Sequence, residues 1–79
     1  MDMNEKARAV CADAAAGKID PDAFYDKLTA IADDTRTDDD LVCILEDVIM
    51  EIEMEHGCSK KKMRELIKDM AQRLLEEIQ

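Results

Sequence analysis

Residues 41–56, LVCILEDVIMEIEMEH, form the longest apolar-rich run of the chain and belong to its most acidic region. Wound at about 100° per residue, the run puts Leu41, Val42, Leu45, Val48, Ile49 and Ile52 on one broad face. A face that wide packs against two neighbouring helices at once. A strand fits poorly, because the run is too long for one and its polar residues alternate with apolar ones only at the end. Whatever fold the chain adopts must supply helical neighbours for this segment.

A narrower stripe remains on the far side of the same helix: Cys43, Met50 and Met54. It has two readings. Methionine and cysteine are soft fillers of irregular cores. Alternatively the stripe is exposed and meets a second copy or a partner.

The other segments follow from their punctuation. A first helix is expected from about Asn4 to Ala16, capped by Asn4 and stopped by Gly17, with Met3, Ala7, Val10, Cys11 and Ala14 facing inward. Those side chains are small, so the helix must approach its neighbour closely. In GKIDPDAF, Asp20 caps a second helix, Pro21 occupies its first position, and Ile19 is placed to staple onto Phe24. The pattern resembles the second half of an EF-hand loop. The ligand positions, however, carry Ala12, Ala14, Ala16 and Ala23, and calcium needs oxygens there. The segment therefore reads as an ordinary hairpin turn.

The second helix is expected to run to about Asp33, with Phe24, Leu28, Ile31 and Ala32 on one face and Tyr25 at its edge. DDTRTDDD is the one clear linker, since threonine and aspartate compete for backbone hydrogen bonds. Thr37 or Asp38 is placed to cap the third helix, which ends at Gly57. Ser59 caps a fourth, from about Lys60 to Ile78, with Met63, Leu66, Ile67, Met70, Ala71, Leu74 and Ile78 on its apolar side. This last helix is charged backwards. Lys60, Lys61 and Lys62 stand at its positive end and Glu76 and Glu77 at its negative end. Either the lysines pair with Glu51, Glu53 and Glu55 across the hairpin, or they form a basic patch for a partner.

The expected fold is all-α, a single domain over 1–79. It is a compact bundle of four helices in which a short hairpin (about 4–33) packs on a long antiparallel hairpin (about 38–78). With no Trp, one Phe and one Tyr, its core must be aliphatic. Seventy-nine residues leave such a core little margin, so a homodimer through the long hairpin is a possibility of equal standing with a monomer.

Net charge is −9 and is unevenly placed. Segment 33–55 holds ten acidic residues against Arg36 alone, while segments 1–32 and 56–79 nearly balance. Direct nucleic-acid binding is disfavoured, because phosphate would be repelled, and attraction to a basic protein surface is favoured. Three dispersed cysteines, Cys11, Cys43 and Cys58, fit reduced thiols better than a disulfide framework. With no run of roughly 18 apolar residues and no signal-like apolar core near the start, a cytoplasmic protein without membrane attachment is expected.

No catalytic or cofactor constellation is apparent. The set His56, Cys58, Cys43 and Cys11 has no CxxC and only one local pair, so no zinc site is expected, and no phosphate-cradling glycine loop exists. The expected function is therefore non-enzymatic binding. An acidic helical surface would dock onto a basic, nucleic-acid-binding partner through Asp33, Asp34, Asp38, Asp39, Asp40, Cys43, Glu46, Asp47, Met50, Glu51, Glu53, Met54 and Glu55. Small size, missing catalytic groups and strong local charge are traits shared with phage anti-defence proteins such as anti-CRISPRs, a likeness of type and not of sequence. The competing reading is a homo-oligomeric or regulatory module with the last two helices as its interface.

Overall fold

The computed structural model describes residues 2–55, 57 and 59–78 and contains four helices: α1 (Met3–Ala15), α2 (Pro21–Asp33), α3 (Asp39–Met54) and α4 (Lys60–Glu77). Asp20 caps α2 as its chemistry demands, its side chain accepting the Ala23 amide at 2.8 Å with Pro21 in the first turn. Ser59 does the same for α4, accepting from the Lys62 amide at 3.2 Å. Gly17 has φ +76° after α1 and Gly57 has φ +108° before α4, conformations that side chains with a Cβ rarely adopt.

Two local expectations need correction, and one open choice is decided. Asp2, not Asn4, caps α1, because its carboxylate accepts the Glu5 amide at 2.8 Å and leaves Asn4 inside the helix. Thr37 does not cap α3. It is buried, and its hydroxyl donates to the Ile31 carbonyl at 2.5 Å, which also accepts the Asp34 amide at 3.2 Å at the end of α2. Asp38 holds the α3 cap position without a side-chain bond. Finally, α3 stops at Met54, with Glu55 as its C-cap, so five residues rather than about three join it to α4. His56 and Cys58 lie outside the described residues.

The core is aliphatic apart from Phe24. Met3, Ala7, Cys11 and Ala14 of α1 meet Phe24, Leu28 and Ile31 of α2, Leu41, Leu45, Val48 and Ile52 of α3, and Ile67, Met70, Ala71 and Leu74 of α4. Val10 and Ile49, expected inside, are half-buried at its margin, and Val42, also expected inside, is only half-buried. The small inward face of α1 brings it close to α4, and α1–α4 and α2–α3 are the main packing partners. α3 and α4 touch each other more lightly. They still run antiparallel: Glu51 meets Arg73, while earlier residues of α3 face later residues of α4.

The reversed charge of α4 has a tertiary answer. Its last turn contains no cation. Arg8 of α1 supplies one, donating to the Leu75 carbonyl at 3.0 Å and to the Ile78 carbonyl. A guanidinium there both satisfies open carbonyls and offsets the negative end of the helix. Two of the three glutamates expected to face the lysines have other partners. Glu51 pairs with Arg73 and Glu53 accepts from Tyr25, and among the described residues no ion pair joins Lys60, Lys61 or Lys62 to either glutamate.

Candidate functional site

The outer face of α3 is built by helical spacing. Cys43, Asp47, Met50 and Met54 are four, three and four residues apart, which stacks them along one side of a helix. That side turns away from the core. Met50 is 59% exposed and Met54 78% exposed, the two large hydrophobics left in solvent among the described residues, and Cys43 is exposed above them. The core-filler reading of this stripe is thus overturned, because Leu41, Leu45, Val48 and Ile52 already complete the buried face.

Carboxylates border the stripe. Glu46, Asp47 and Glu53 are all exposed beside it. Glu53 is positioned by Tyr25, whose hydroxyl donates to it at 2.6 Å; that bond and the neighbouring negative charge push the phenol pKa upward. Glu51 lies on the edge nearer α4, held by Arg73 at 3.2 Å. Glu55 is half-buried at the C-cap.

Asp39 and Asp40 occupy the first turn of α3 behind Asp38, where their charge suits the positive end of the helix. Asp33 ends α2 and is exposed. Asp34 differs from its neighbours. It accepts from the Arg36 guanidinium at 2.8 and 3.1 Å and from the Arg36 amide at 2.9 Å, which holds its carboxyl well below the usual carboxylate range. Its charge is already partnered, so the outward negative field of the linker comes from Asp33, Asp38, Asp39 and Asp40.

The two described thiols have opposite chemistry. Burial pushes Cys11 up to about 12, against a smaller downward pull from Arg8, so it is an inert core residue. Cys43 is an exposed thiol on the stripe. Among the described residues, no three His, Cys, Asp or Glu side chains are grouped so as to hold a metal ion, and no helix is long and apolar enough to cross a membrane. A cleft of about 540 Å³ lies between the start of α2, the end of α3 and the start of α4. Asp20, Asp22 and Glu53 face Lys60 and Arg64 around it, a mixture of signs among the described residues.

The structure therefore gathers Cys43, Glu46, Asp47, Met50, Glu53 and Met54 on one helix face and continues it with the exposed aspartates before α3. It sets Asp34 and Glu51 apart, because each already has a cationic partner. Tyr25 and Arg73, which orient the border carboxylates, were not foreseen as part of the site. Their partners lie 28 and 22 residues away, and no local pattern signals such pairs. The chain matches no protein-family model, no curated protein and no solved structure, so the functional reading rests on its own residues.

Proposed function

We propose that this chain is a non-enzymatic, stoichiometric binding protein. It docks the outer face of α3 and the preceding aspartates onto a basic, nucleic-acid-binding surface of a protein partner, in the manner of phage anti-defence proteins, anti-CRISPRs included. The observation that carries this reading is the exposure of Met50 and Met54 on the helix richest in unbalanced negative charge. Apolar anchors supply affinity when desolvated, and surrounding carboxylates select a partner bearing Arg and Lys.

The charge spacing also supports imitation of a nucleic-acid strand. Sixteen residues of α3 span about 24 Å and, with Glu51 set aside as paired, carry five exposed carboxylates, Asp39, Asp40, Glu46, Asp47 and Glu53. That is roughly one negative charge per 5 Å, the same order as the roughly one per 3.4 Å of a single nucleic-acid strand.

Self-association through α3 is the second reading, and the same exposed methionines favour it. Pairing two copies of this face would set Glu46, Asp47 and Glu53 against their own equivalents, which opposes a symmetric dimer. Capture from lysate of the cells that encode the chain, at about 0.05 M and about 0.5 M salt, separates the readings when combined with light scattering of the isolated protein. The proposal expects a monomer and a nucleic-acid-binding protein that elutes at high salt. A dimer that persists at high salt, with no salt-eluted partner, overturns it, because apolar burial survives screening.

A further inference from the structure

α3 and α4 take their main partners from the first hairpin and leave a groove of about 490 Å³ between themselves. Val48 and Leu74 are buried beneath it and Ile44 is half-buried, so the floor is apolar. The walls are charged on both sides. Glu51 and Arg73 reach across and pair at 3.2 Å. One helical turn from that bridge, α3 presents Asp47 and α4 presents Glu77, with Glu76 beside it. None of these three carboxylates has an ion-pair partner among the described residues.

The nearby cations are already engaged. Arg73 is shared between Glu51 and Asp69, and Arg8 donates to the carbonyls of Leu75 and Ile78. Glu76 and Glu77 also stand at the negative end of α4, where the helix adds to their field. One turn of the groove thus has its guanidinium and the next turn lacks one.

We propose that the groove receives an arginine side chain of the protein partner, its stem lying over Ile44, Val48 and Leu74 and its guanidinium between Asp47 and Glu76–Glu77. This inference rests on the basic-partner reading above and specifies how that partner is gripped. Arginine suits the site better than lysine. Its weakly hydrated, planar head binds carboxylates through paired hydrogen bonds, and its stem covers apolar surface while the head stays at the carboxylates.

The test uses the full chain, isotopically labelled, titrated at low salt with an oligo-arginine peptide and an oligo-lysine peptide of equal length. Oligo-arginine is expected to bind several-fold more tightly than oligo-lysine, with amide shifts centred on Ile44, Asp47, Val48 and Leu74. The E76Q/E77Q variant should bind it about tenfold more weakly. Its thermal midpoint should be unchanged or higher, because the replaced charges oppose the helix dipole. If the shifts stay on residues 33–40 and the Met50–Met54 stripe, and E76Q/E77Q binds as the native chain does, the groove inference is overturned while the basic-partner reading stands. If neither peptide binds, both fail. Groove shifts that instead track protein concentration without peptide would identify a second copy as the occupant and overturn the arginine assignment.

Discussion

Replacing Phe24 with alanine is expected to lower the free energy of unfolding by ~3–5 kcal/mol. The ring is 0% exposed, near the start of α2, where it meets side chains of the other helices in the shared core. The remaining core is built from smaller or more slender side chains, and four of its members are alanine or cysteine. Such a core has nothing bulky with which to fill the space. A domain of this size has a total stability on the order of 5–10 kcal/mol, so the variant should be marginal at room temperature. Urea unfolding followed by circular dichroism reads the difference directly. A loss below about 1 kcal/mol would mean that Phe24 does not anchor the bundle.

The second large effect lies outside the core. Replacing both Met50 and Met54 with alanine is expected to weaken partner binding by at least about 30-fold, as removal of central apolar anchors does. Stability should change by no more than about 0.5 kcal/mol, because neither side chain contributes to the buried face. Alanine also keeps helix propensity high, which separates the contact from the fold. Native affinity in the double variant, measured by calorimetry against the captured partner, would remove the stripe from the interface.

These two substitutions differ in how far the sequence foretold them. Phe24 follows from local chemistry: Gly17, Asp20 and Pro21 set where α2 begins, and the aromatic then falls on its inward face. The four helices are legible for the same reason, since glycines and an Asp–Thr linker separate them and their apolar residues recur at helical spacing. The exposure of Met50 and Met54 was not decidable, because a soft sulfur stripe has the same period inside a core as on a surface. Only the packing order decides it. α3 takes α2 as its main neighbour and touches α4 lightly, so one side of it stays open.

The features missed altogether are those made by tertiary proximity. Arg8 and the carbonyls it reaches are 67 and 70 residues apart, and nothing local marks the pair. A local choice between two caps is likewise decided by a contact six residues away: Thr37 has a good capping side chain, but the carbonyl of Ile31 holds its hydroxyl and Asp38 takes the cap position. Five aspartates in DDTRTDDD suggested a uniform acidic patch, yet Arg36 neutralises Asp34 by closing back over it. Charge counting along a sequence sees the excess but not which members of it are already paired.

The central claim is that α3 and its leading aspartates form an electrostatic docking surface. Its most direct test is the affinity for the captured partner as a function of salt, measured for the native chain and for the variant D38N/D39N/D40N. Asparagine preserves the capping preference at position 38, and the two first-turn charges contribute only about 0.3–1 kcal/mol each to the helix, so the variant should remain folded. The account predicts a steep loss of affinity with rising salt in the native chain, and both lower affinity and a shallower salt dependence in the variant. Equal affinities with equal salt dependence, in a variant shown to be folded, would contradict it.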